Sequence, residues 1–128
     1  MSRKAKSSFT IDKTEETPVE WVDGSVNRAR WYKTFTGDLT GTSEIEITMG
    51  KLGTGAMVYV GVERFDVELQ GRKGSFVVMH SSTMLGSDYE MKIQVVPGSG
   101  TGELAGISGS AQITAGHDLL LDYEIAAA

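Results

Sequence analysis

The sequence contains no cysteine, only two prolines and only two histidines. Without cysteine there is no disulfide, no thiolate metal site and no cysteine nucleophile, and a reducing cytoplasm suits such a chain. The histidines, His80 and His117, lack the close His/His spacing of a metal motif, so we expect no metal and no other cofactor. Long apolar runs are missing as well. The stretch over residues 57–62, six residues including a glycine, falls far short of the ~20 that a membrane helix needs. Met1-Ser2-Arg3-Lys4-Ala5-Lys6 is basic, but Ser7-Ser8-Phe9-Thr10-Ile11-Asp12 follows where a secretory signal would place its apolar stretch. We therefore expect a soluble, cytoplasmic protein with no membrane partner. Also absent are a Gly-x-Ser-x-Gly elbow and a Gly-Lys-Ser/Thr phosphate loop, so hydrolase and nucleotide chemistry lack support.

Glycine, by contrast, is abundant: 16 of 128 residues is about 12.5%, nearly twice the usual ~7%. Thr, Val and Ile contribute 12, 11 and 7, so 30 residues are β-branched. Many short strands joined by tight turns have this composition. The length suits a single domain with one hydrophobic core. We read residues 1–6 as a flexible tail and the closing Ala126-Ala127-Ala128 as an appendage.

The net charge of −5 is unevenly spread, with +2 in residues 1–33 and −7 in residues 34–128. An acidic body repels a phosphate backbone, so no nucleic-acid partner is expected. Arg28-Ala29-Arg30-Trp31-Tyr32-Lys33 interleaves basic and aromatic residues as single-strand binders do. Against the acidic body, its plainer reading is a strand whose cations snorkel outward.

Period-2 alternation of apolar and polar residues recurs along the whole chain, and no segment sustains a 3.6-residue period. Phe9 and Ile11 mark a first strand. Residues 13–27, acidic and holding Pro18 and Gly24, read as a long connection with Trp21 tucked against the body. Further strands are expected at about 29–36, around Ile45, Ile47 and Met49, at 56–69, 74–82, 89–96, 110–115 and 119–125. Eight sequential antiparallel strands must close or stack, because an open sheet leaves long exposed edges. An eight-stranded antiparallel closed β-barrel is the expected fold, with a flattened sandwich second. The interior of such a barrel admits side chains or one small ligand, which makes inward-facing residues the place to look for chemistry.

The hairpin over 56–82 carries the sharpest expectation. A four-residue loop at 70–73 would set Leu69 opposite Gly74, Val67 opposite Phe76, Phe65 opposite Val78 and Glu63 opposite His80, all facing inward. A buried carboxylate beside an imidazole orients the ring for acid/base work, so Glu63 and His80 are the candidate catalytic pair. The plainer alternatives are a buried pair that only satisfies itself, or a bulge that turns both to solvent. Trp31, Phe35, Met57, Tyr59, Phe65, Val78, Tyr89 and Met91 are the candidate ligand-lining residues, because thioethers and aromatics make adaptable apolar walls. They serve equally well as core filling. Gly100-x-Gly102-x-x-Ala105 formally matches a dinucleotide fingerprint, but Gly106 and Gly109 forbid the helix which that motif requires. We read residues 98–109 instead as a tight corner in which Leu104 and Ile107 cap one barrel end.

Three stretches resemble a known family: Thr34-Phe35-Thr36-Gly37-Asp38-Leu39-Thr40-Gly41; Gly61-Val62-Glu63-Arg64-Phe65 through Gly71-Arg72-Lys73-Gly74-Ser75-Phe76-Val77-Val78-Met79-His80; and Val96-Pro97-Gly98-Ser99-Gly100-Thr101-Gly102-Glu103-Leu104-Ala105-Gly106-Ile107-Ser108-Gly109. Together they are similar to an uncharacterised bacterial domain-of-unknown-function family with the allene-oxide-cyclase-like, calycin-like barrel fold. That resemblance implies an eight-stranded antiparallel barrel and a homo-oligomer, with no assigned activity. It lends no catalytic residue of the cyclases, so cyclase activity is an analogy of fold. Three functions follow as expectations. The first is a barrel holding a small apolar molecule with its polar end against Glu63 and His80. The second is an isomerase or cyclase using that pair for proton transfer. The third is a structural oligomerisation module, which needs a filled barrel.

Overall fold

The computed structural model describes residues 2–126, so the reading of Ala127 and Ala128 lies outside the described residues. Eight strands follow one another: β1 (Arg3–Trp21), β2 (Gly24–Gly37), β3 (Leu39–Leu52), β4 (Met57–Leu69), β5 (Arg72–Leu85), β6 (Asp88–Val95), β7 (Ile107–Ile113) and β8 (Asp118–Ile125). Each pairs antiparallel with its neighbour in sequence, and β1 pairs with β8 to close the barrel. The helical content is one 3-10 turn, Gly102–Leu104, and among the described residues no helix is long and apolar enough to cross a membrane.

Two expectations are corrected at the front of the chain. Arg3 to Lys6 do not form a tail, because their backbone pairs with Tyr123 to Leu120 of β8, a short strand that would otherwise be a bare edge. Residues 13–27 are not a connection either. They complete β1 and begin β2 across a two-residue turn at Val22 and Asp23, with Trp21 54% exposed at its end. The acidic residues and Pro18 that suggested a loop sit on an edge strand, where side chains face water on both sides and a missing N–H costs little. At the other terminus the Ala126 N–H bonds to the Gly106 carbonyl.

The hairpin between β4 and β5 turns through two residues, not four. Gln70 and Gly71 both have positive φ, 46° and 89°, which is the pattern of a two-residue turn matched to strand twist. Leu69 therefore pairs with Arg72, and every pairing lies two residues from the expected one: Glu63 faces Val78, and Gly61 faces His80. A slip of two keeps each side chain on its expected face, since the side-chain period is two.

One end of the barrel is packed shut. Leu104 and Ile107 are buried there as expected, together with Leu39, Leu69 and Tyr123. The core behind them includes a chain of rings: Phe9 and Phe35 at 5.3 Å, Phe35 and Phe65 at 5.2 Å, and Phe65 stacked on Phe76 at 4.8 Å. Gly109 shows how tightly β7 lies against β8: its φ is 147°, and a Cβ there would sit 2.1 Å from the Asp122 carbonyl oxygen. Gly109→Ala is therefore expected to destabilise the protein by about 1–3 kcal/mol, the ordinary cost of such a backbone conformation, plus whatever the clash adds. Urea unfolding measures it, and wild-type stability would contradict this packing.

The opposite end is looser. There β6 meets β7 in only two pairs, Ile93 with Ala111 and Gln94 with Ser110. The first half of β6 pairs only with β5, so the wall splits into a seam beyond that point.

Candidate functional site

Four consecutive strands each send one polar side chain inward to a single cluster: Lys33 from β2, Ser43 from β3, Glu63 from β4 and His80 from β5. Lys33 and Ser43 are directly paired, while Glu63 stands diagonal to Ser43 and His80 diagonal to Glu63. Long side chains bridge such diagonals. His80 Nε2 lies 2.7 Å from Glu63 Oε1. Ser43 Oγ donates to Glu63 Oε2 at 2.6 Å, and Lys33 Nζ lies 3.2 Å from the same oxygen. The Lys33 ammonium also sits 4.7 Å over the Phe9 ring. All four residues are buried, and Glu63 is only 1% exposed.

Burial is the largest influence on the Glu63 carboxyl and by itself would push its pKa up. The His80 hydrogen bond, the Lys33 charge, the His80 charge and the Ser43 hydrogen bond together outweigh it, so the carboxyl is held below its ordinary value and stays ionised. A depressed carboxylate adds stability above the unfolded-state value, about pH 4.3, and that stability is lost as pH falls through the lower folded value. Stability is thus expected to drop below about pH 4.3, with a shallower drop in Glu63→Gln. Urea midpoints measured across that range check it, and equal slopes in the two proteins would contradict it.

The expectation that Glu63 and His80 meet inside the barrel holds, although through the shifted register. Lys33, read from sequence as an outward cation, is corrected: it points inward and is 4% exposed. The signal was available, because Trp31 and Phe35 share a parity and Lys33 lies between them on that same parity. Ser43 shares its face with Ile45 and Ile47 in the same way. No sequence rule marked it as a partner for Glu63.

The candidate lining residues divide into three groups. Phe35, Phe65 and Val78 belong to the packed core, and the gap bounded by Phe65, Val78, Glu63 and His80 has no room for a water molecule. They fill the barrel rather than line an open cavity. Trp31 and Tyr59 pack on a second cluster of Ala29, Ile45 and Ile47, and the Trp31 Nε1 donor is buried without a partner among the described residues. Met57, Tyr89 and Met91 stand at the loose end, 43%, 54% and 38% exposed.

At the seam lies a cavity of about 210 Å³ lined by Tyr59, His80, Ser81, Ser82, Tyr89, Met91 and Ile113. Across Tyr59 and Ser82 a second hollow of about 250 Å³ continues toward Met49, Met57 and Met84. His80 borders the first cavity, whereas Glu63 does not. The Tyr59 ring meets His80 edge-on with centroids 6.2 Å apart. Burial, then the nearby Glu63 charge, pushes the Tyr59 phenol above its ordinary range, so it keeps its proton and remains a donor.

Comparison with known proteins gives kinship without an activity. The model of a family described as a protein of unknown function, DUF3224, matches residues 5–126. The crystal structure of a protein with unknown function from that family, from Shewanella oneidensis MR-1, superposes with a TM-score of 0.81. Its sequence is 29% identical, and the match covers 100% of both chains. No curated protein matches the chain.

Proposed function

Since the chain belongs to the DUF3224 family, whose description assigns no activity, we propose from the geometry alone that it binds a small apolar molecule at the barrel seam. One observation carries this reading: an imidazole oriented by a buried carboxylate opens onto a cavity otherwise walled by two tyrosines, a methionine, an isoleucine and two serines. Apolar walls with a few convergent polar groups are the usual make-up of a ligand site. The cavity is smaller than the ~300 Å³ at which typical ligand pockets begin, so it suits a small molecule or the end of a longer one. Of the Glu63–His80 pair only His80 can meet the ligand's polar end, because Glu63 is sealed behind it.

Native mass spectrometry of freshly purified protein tests the reading directly, with an added mass on the folded protein as the expected result. Met91→Trp, which fills the seam from an exposed position, is expected to lower occupancy at least about tenfold without loss of stability. A spectrum without adduct, together with no response at Tyr59, His80 or Met91 to small aromatic probes in NMR, would sink it.

The dyad geometry favours a second reading, an isomerase or cyclase in which His80 moves a proton while the cavity sets substrate conformation. It requires turnover as well as binding, and His80→Gln should then abolish product formation more than affinity. A purely structural module would need a barrel filled to both ends, and the seam cavity argues against that.

A further inference from the structure

We infer that Lys33 and Ser43 are positioning residues that lock the neutral His80 ring with Nδ1 as a hydrogen-bond acceptor, so that the seam, when His80 is uncharged, selects a neutral molecule carrying a hydroxyl donor. The inference rests on the ligand-binding reading above and specifies the chemistry of that ligand.

Glu63 is surrounded by donors. Lys33 and Ser43 both address Oε2, which leaves Oε1 for His80. A protonated Glu63 would have to turn an O–H toward one of these groups, and the buried Lys33 ammonium would then have no counter-charge. The ionised carboxylate is therefore the consistent state, and it can only accept. The neutral imidazole must consequently carry its proton on Nε2, facing Oε1, and its lone pair on Nδ1. Nδ1 is the ring nitrogen that Glu63 does not engage, in a residue that lines the seam cavity.

A lone pair at that point discriminates between ligand ends. A carbonyl or carboxylate would bring acceptor against acceptor, with the Glu63 charge behind it. An ammonium would donate, but the Glu63 charge is already matched by Lys33, and a second buried cation would lack an anion. A hydroxyl donates to Nδ1 without adding charge, and its oxygen can accept from the Tyr59 phenol on the same wall. The molecule that fits is an apolar ring or chain ending in one hydroxyl.

Two measurements on the full-length protein test this. The first is nitrogen NMR of the imidazoles in His117→Gln, in which His80 is the sole histidine. At a pH where that ring is neutral, the expected spectrum has Nε2 protonated and Nδ1 bare, and in Lys33→Met the two tautomers mix. A neutral His80 with its proton on Nδ1 overturns the inference, as does a Lys33→Met spectrum identical to the parent. Ser43→Ala keeps the ion pair and serves if Lys33→Met does not fold; it too is expected to shift the tautomer balance, and an unchanged balance in it overturns the role of Ser43.

The second measurement compares the affinities of para-ethylphenol and para-ethylanisole, which differ only in a methyl group replacing the hydroxyl proton. The phenol is expected to bind about tenfold more tightly and to shift the His80 signals. Equal binding overturns the donor assignment and leaves the site intact. Binding of neither probe overturns the site reading and the inference together.

Discussion

Glu63→Gln is expected to cost about 3–5 kcal/mol of folding stability, because it leaves the Lys33 ammonium buried without its counter-charge. The amide still offers one acceptor, but its NH₂ group would point at two donors, from Lys33 and Ser43, or at His80. Removing both charges at once gives the control. Lys33→Met with Glu63→Leu is expected to recover most of the loss, since a buried ion pair gains little over apolar side chains of similar volume. Urea unfolding of Lys33→Met, of Glu63→Leu and of the double variant yields the coupling energy. Additive losses would show that the two groups do not depend on each other, and the positioning role assigned to Lys33 would fall with that result.

Phe65→Ala is expected to cost about the same, 3–5 kcal/mol, by a different route. Phe65 is 1% exposed, stacks on Phe76 and meets Phe35 at a tilt, so truncation removes the centre of the ring chain and leaves a cavity. The strands around it are pinned by ladders on both sides and cannot collapse to fill the space. The seam lies elsewhere: none of the buried core residues lines it, and Ile113, which does, packs on that core only from its partly buried margin. Seam occupancy should accordingly survive in Phe65→Ala at temperatures where the protein stays folded. A loss below about 1 kcal/mol, or a loss of occupancy matching that of Met91→Trp, would mean that core and seam are not separate.

The two variants show what kind of information each site needed. Phe65 was legible as inward from its place between Glu63 and Val67, and only packing decided that it fills rather than lines. Glu63 and His80 were legible as neighbours even though the turn length was misread, because a two-residue slip preserves the face and long side chains span the diagonal. Lys33 was hidden by its chemistry. A lysine between aromatic residues reads as surface until its parity is followed through Trp31 and Phe35, and its burial depends on Glu63, which lies two strands away.

Composition and period-2 patterning alone determined the all-β class, the strand count and the inward face of most strands, since these follow from local backbone preference and the fixed alternation of a pleated strand. The glycine-rich corner was legible for the same reason: positive φ at Gly98, Gly102 and Gly106 suits glycine whatever surrounds it. Tertiary structure alone decided which end is packed, where the wall splits between β6 and β7, and how far the interior is filled. Those properties depend on summed side-chain volumes and on pairings between residues distant in sequence. The same holds for the charge cluster. Three residues from three other strands hold one carboxylate ionised, and no single segment contains enough of them to show it.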